Sequence, residues 1–128
     1  MTWNIHDMEA DILVARVFSE PTLRNAILGL ACLEPRMVCL EISANESYDV
    51  GIGGPWACVQ HLMREPWAAR MAVLPASGNR PEVVCFMCGG QGTEVDCHYL
   101  IPVGQVIELL ADCFLSGKPS SLAEWEEI

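Results

Sequence analysis

Two stretches of the chain repeat apolar residues at the spacing of an α-helix. After Ser19, the residues Leu23, Ile27 and Leu30 fall on one stripe, with Ala26 beside them. Ser19 is placed to cap the first turn, Glu20 suits the positive end of the helix, Pro21 is tolerated in the first turn, and Pro35 ends the helix before Arg36. The second stretch opens at Pro102. Val103, Val106, Ile107, Leu110, Cys113 and Phe114 form its stripe, while Glu108 and Asp112 lie on the other side. Gly117 stands where a left-handed residue closes a helix, and Pro119 follows it.

Between these helices the period changes to two. Residues 36–42 set Met37, Cys39 and Glu41 against Val38, Leu40 and Ile42, which predicts a strand with one apolar and one mixed face. Further strands are predicted over 48–52, 56–63, 70–74, 82–87 and 93–99. Turns are expected at Asn45-Glu46-Ser47, at Gly53-Gly54-Pro55, over 75–81 and at Gly89-Gly90. Weaker patterns suggest a strand over 11–18 and a short edge strand in the tail 120–128. Strands joined by short turns pair antiparallel, because parallel pairing needs long crossovers. The expected fold is α+β: a curved antiparallel sheet of about five or six strands, with two main helices packed on one face. No repeat and no linker divides the chain, so residues 1–128 read as a single domain.

Composition narrows the function classes. Hydrophobic residues make up 52% and charged residues 19%, a balance that argues for a folded core and against disorder. Seventeen acidic and seven basic side chains give a net charge of -10. Such a chain is repelled by phosphate backbones and anionic lipid, so a basic protein is the favoured partner. The opening residues carry no basic segment followed by an apolar one, and apolar runs such as 26–33 are too short to span a bilayer. A cytoplasmic location is expected. The odd count of seven cysteines then argues for reduced thiols rather than a disulfide framework.

Several residues invite chemistry. Cys85-Phe-Met-Cys88-Gly89-Gly90 resembles half of a zinc knuckle, with Cys97 or His98 available as further ligands. No second pair of that spacing follows, and three steps along a strand put Cys85 and Cys88 on opposite faces. The same arithmetic separates Cys58 from His61, and neighbours such as Cys97 and His98 also point apart, which weakens a thiol nucleophile with a histidine base. Gly51-Ile-Gly53-Gly54-Pro55 precedes a strand rather than a helix, and Pro55 lacks an amide donor, so a turn or bulge is a better reading than a phosphate loop. No metal, no cofactor and no catalytic residue are therefore expected. A small zinc-binding or Cys/His-dependent enzyme domain is the alternative.

Acids recur in the loops and on polar strand faces: Glu46, Asp49, Glu65, Glu94, Asp96, then Glu124, Glu126 and Glu127, with Trp56 and Trp67 near some of them. Aromatic anchors ringed by acids suit a basic partner. Three stretches carry a family likeness. They are Val50-Gly-Ile-Gly-Gly-Pro-Trp-Ala-Cys-Val-Gln60; Phe86-Met-Cys-Gly-Gly-Gln-Gly-Thr-Glu94; and Leu100-Ile-Pro-Val-Gly-Gln-Val-Ile107 with Gly117-Lys-Pro-Ser-Ser-Leu-Ala-Glu-Trp125. In order and spacing they resemble the immunity proteins of bacterial polymorphic-toxin systems, in the widespread family found with deaminase and nuclease toxins. The resemblance implies an α+β domain that inhibits a cognate secreted toxin stoichiometrically, without catalysis, and in which the motif glycines, Pro102 and Trp125 are fold positions. The cysteines depart from the family pattern. The expected partner is a basic toxin domain that targets nucleic acid, and the expected contact residues are Glu46, Asp49, Trp56, Glu94 and Asp96.

Overall fold

The computed structural model describes residues 2–75 and 79–128. The chain runs β1 (Trp3–Asp7), β2 (Ile12–Val17), α1 (Glu20–Ala31), β3 (Arg36–Glu41), β4 (Glu46–Ile52), β5 (Trp56–Arg64), β6 (Trp67–Val73), β7 (Val83–Cys88) and β8 (Gln91–Asp96). A 3-10 turn (Cys97–Tyr99), β9 (Ile101–Pro102), α2 (Val103–Ser116) and β10 (Glu124–Glu127) complete it. The fold is α+β with two helices and a large, open, mainly antiparallel sheet. The main strand order is β10-β6-β5-β4-β3-β1-β2. β7 joins β3 through one parallel bridge, Arg36 to Met87, and pairs antiparallel with β8. Among the described residues the sheet holds ten strands rather than the five or six expected. β1 and the two-residue β9 supply the strands with no forecast. β1 is short and carries polar Asn4 and His6, and β9 pairs with β5 through only two residues. Part of the expected 75–81 loop, residues 76–78, lies outside the described residues.

Both helices lie on one face of the sheet. Ser19 caps α1 by accepting from the Thr22 amide, and α1 turns Leu23, Ile27 and Leu30 inward. α2 ends at left-handed Gly117 and buries Val106, Leu109, Leu110, Cys113 and Phe114. Together they cover Trp3, Ile5, Val38, Leu40, Tyr48, Val50, Ile52, Ala57, Val59 and Ala72. Trp3 is fully buried, edge-on to Phe114 at 5.1 Å between ring centroids. Arg24 ties the two helices at the surface, reaching Glu20 on its own helix and both carboxylate oxygens of Glu108 on α2. Trp125 of β10 packs against this core and donates to the Ser120 carbonyl at 2.9 Å. Among the described residues no helix is long and apolar enough to cross a membrane.

The opposite face is covered only in part. The β7–β8 hairpin and the 3-10 turn bring Phe86, Val95 and Leu100 onto Cys58 and Met71, which form a second, smaller core. This close approach explains Gly51. A Cβ there would lie 2.7 Å from the Cys58 sulfur and 2.9 Å from the Phe86 ring. Gly53 is required differently: its φ is +121°, and a Cβ would meet the Pro35 backbone at 2.6 Å. The glycine-rich segment is thus a close-packing turn, and the Gly54 amide donates to the Ala31 carbonyl.

At the β1–β2 turn, one oxygen of Asp7 accepts from the amides of Glu9 and Ala10, and the other pairs with Arg36 Nη1 at 2.9 Å. Burial pushes this carboxyl up, but the Ala10 amide, Arg36 and the Glu9 amide outweigh it and hold the group below its usual range. The register of β2 slips opposite Ile5 and His6, so Val14 has no partner on β1 and forms a bulge.

Two outcomes follow. Gly51→Ala should lower stability by about 1–3 kcal/mol in urea titrations, since neither the sulfur nor the ring can retreat within a packed layer. A neutral result would show that Phe86 does not rest on that strand. For Asp7, the lowered folded-state value means that its contribution is present above the unfolded value, about 3.9, and is lost as pH falls through the folded one. Asp7→Ala should cost on the order of 3 kcal/mol at neutral pH and flatten the acid limb of the stability profile.

Candidate functional site

The uncovered part of the second face carries the polar positions. Strand parity decides which residues reach it. On β4, Tyr48, Val50 and Ile52 face the helices, so Ser47, Asp49 and Gly51 face away. On β5, Ala57 and Val59 face the helices, so Cys58, Gln60, Leu62 and Arg64 face away. On β6 the outward set is Trp67, Ala69 and Met71, which pair in register with Arg64, Leu62 and Gln60.

A concavity of about 310 Å³ opens on this face. The sheet supplies its floor through Met37, Asp49, Cys58, Gln60 and Met71, and the Thr93–Asp96 segment of β8 supplies a wall. Tyr99 and Ile128 complete the lining. Asp49, Glu94 and Asp96, drawn from two separate segments, all line this mostly apolar hollow, but Glu94 and Asp96 alternate with core-facing Val95 on β8 and also line a second concavity with Glu82, Val83 and Cys97. Glu94 and Asp96 are exposed at its edge, while Asp49 is half-buried. Asp96 also accepts from the His98 amide at 2.9 Å, which starts the 3-10 turn.

Asp49 sits beside Cys39 across β3 and Gln60 across β5. Burial raises its carboxyl above the usual range, against the opposing effects of the Cys39 thiol and the Arg64 charge. Among the described residues it makes no salt bridge, since Arg64 reaches instead toward the Ser47 hydroxyl at 3.4 Å. The Cys39 thiol is pushed up to about 11 by burial and by the Asp49 charge.

The other two expected contact residues lie elsewhere. Trp56 is half-buried against the smaller core, beside a crevice shared with Arg80, Leu100 and Pro102. Glu46 faces the helices, where its Oε2 lies 2.7 Å from His61 Nε2, and His61 is itself buried next to Tyr48 and Trp125. Glu46 and Asp49 are three residues apart on one strand. The face arithmetic that separates Cys58 from His61 separates them too. Trp67, by contrast, is 71% exposed on the same face as Asp49. It is the tryptophan available to an incoming surface, and its outward parity with Met71 is a signal present in the sequence.

The thiols distribute as follows. Cys85 is exposed and Cys88 half-buried on alternate faces of β7. Cys58 is buried in the smaller core and His61 lies on the helix side, so the two cannot exchange a proton directly. His98 contacts Glu126 of β10 at 3.0 Å. Among the described residues no group of three or more His, Cys, Asp or Glu side chains is placed to hold a metal ion. Burial pushes the Cys58 thiol up to about 12. A thiol reagent applied to the native protein at pH 8 should therefore label Cys32 and Cys85 first, with Cys39 and Cys58 modified only on unfolding. Peptide mapping by mass spectrometry reads the order; equal rates for Cys58 and Cys85 would mean that the smaller core is open.

No protein-family model matches the chain, and a comparison with curated proteins finds no match.

Proposed function

We propose that this protein is a cytoplasmic inhibitor of the immunity type, which binds a basic, nucleic-acid-targeting toxin domain and blocks it without catalysis. One observation carries the reading. In a chain of net charge -10, Asp49 lies within, and Glu94 and Asp96 rim, a mostly apolar hollow in an incompletely covered sheet face. A toxin that acts on nucleic acid presents a basic cleft to hold phosphates. A concave acidic surface with apolar walls complements such a cleft in both charge and contact chemistry. The resemblance of the segments at 50–60, 86–94 and 100–125 to immunity proteins supports the same reading. In this proposal the contact surface is the open face, with Asp49, Glu94 and Asp96 as its acids and Trp67 as its aromatic anchor. Trp56 supports the hairpin from beneath, and Glu46 works through His61.

Co-expression with any toxin domain that the neighbouring gene encodes tests the proposal. Cells should be rescued, and the two proteins should co-purify as a stoichiometric complex. Failure of both would sink the immunity reading. Reversing Glu94 and Asp96 to lysine should slow association, more so at low salt, because steering acts over the screening length. Trp67→Ala should mainly speed dissociation and cost on the order of 2 kcal/mol or more. Rescue that survives reversal of Asp49, Glu94 and Asp96 together would leave immunity standing and move the contact surface elsewhere.

A further inference from the structure

We infer that the hollow on the open face is a receptor for a single arginine side chain of the partner, whose stem lies along Val95, Tyr99 and Ile128 and whose guanidinium meets Asp49 at the floor, beside Met37 and Met71. The inference deepens the binding role proposed above and rests on it for the identity of the partner.

The hollow is chemically mixed. Met37 and Met71 lie on its sheet floor with Asp49, and Val95, Tyr99 and Ile128 complete the apolar lining. The Gln60 amide stands beside the half-buried Asp49 carboxylate across the strand pair. Its edge carries Glu94 and Asp96, both exposed. The occupant that matches this lining has a long apolar stem and a terminal cation. A wholly apolar side chain would strand Asp49 away from water without a partner, at a free-energy cost. An acidic one would meet three like charges.

Arginine fits better than lysine for three reasons. Its guanidinium is more weakly hydrated than an ammonium, so less is lost on entering a half-buried site. The planar fork can donate to both oxygens of Asp49. Its face can also stack on the Tyr99 ring, and methionine side chains adapt to the group that reaches them. Asp49 makes no salt bridge among the described residues, Arg64 being directed at Ser47, and the Cys39 thiol occupies only part of its accepting capacity. The exposed acids at the edge raise the local concentration of cations and favour arginine over competing neutral side chains.

The test uses the whole protein with its methionine methyl groups labelled with carbon-13, so that Met37 and Met71 report from the hollow by NMR. The other four methionines serve as controls. Three blocked tripeptides are titrated: glycine-arginine-glycine, its lysine counterpart, and its citrulline counterpart, which keeps the shape of arginine without the charge. The arginine peptide should shift the Met37 and Met71 signals saturably. The lysine peptide should bind several-fold more weakly, and the citrulline peptide should bind about tenfold more weakly or not at all. Asp49→Asn, which changes one atom, should weaken the arginine peptide by about tenfold while the control methyl signals stay in place. The inference is overturned if Met37 and Met71 do not respond to the arginine peptide. Equal binding of the citrulline peptide to the natural protein overturns it as well, without any variant having to fold. The titration needs no toxin. Toxin rescue without arginine binding sinks the hollow's assignment alone; arginine binding without rescue sinks the immunity reading alone.

Discussion

Two helices can cover only one face of a sheet this wide, and the remaining features answer to that limit. α1 and α2 lie side by side, joined at the surface by Arg24 and Glu108, and take up the apolar side chains of β1, β3, β4, β5 and β6. Among the described residues the other face has no α-helix. Its apolar residues need another cover, and the chain provides one by folding β7 and β8 back so that Phe86 rests on Gly51. That hairpin is too short to reach across the whole sheet. What it leaves is a hollow bounded by its own second strand on one side and by Ile128 on another. The candidate site is therefore the remainder of a packing problem, placed where cover ends.

The same limit decides how the charges behave. Acids on the helix-covered side are taken into pairs: Glu46 of β4 with His61, and Asp112 of α2 with the Ser120 hydroxyl. Acids on the other face have fewer neighbours. Asp49 has a thiol, an amide and a distant guanidinium around it, and burial destabilises its charged form. Elsewhere Asp7 is buried yet held charged by two amides and Arg36. The contrast shows that burial alone does not fix a carboxylate's state; the number of donors supplied to it does.

Much of this architecture is legible in the sequence because it depends on local periodicity. The stripes of α1 and α2, the caps at Ser19 and Gly117, and the alternation of β3 and β5 need only near neighbours. β1 and β9 are less legible, since a five-residue strand with three polar members and a two-residue bridge are stabilised by distant partners rather than by pattern. The site is legible in part. The grouping of Asp49 with Glu94 and Asp96 requires knowing that the 91–96 strand folds over the 46–52 strand, which no spacing reveals. The separation of Glu46 from Asp49 is hidden because Asn45-Glu46-Ser47 reads as a turn, whereas the bend lies at 43–45 and Glu46 already belongs to the strand. The exposure of Trp67 depends on where the hairpin cover stops, which lies beyond pattern.

The bulge at Val14 bears on how this molecule shares a crowded solution with its own copies. β2 ends the main sheet beside β1, and it carries Ile12, Leu13 and Val14, all exposed. A straight apolar strand at a sheet's edge is a template on which further strands can assemble into fibres. The unpaired residue bends that template and puts its amide and carbonyl groups out of step with any regular neighbour. One extra amino acid thus lets a largely apolar border, with Arg16 as its one charge, stay exposed without becoming a seed for aggregation.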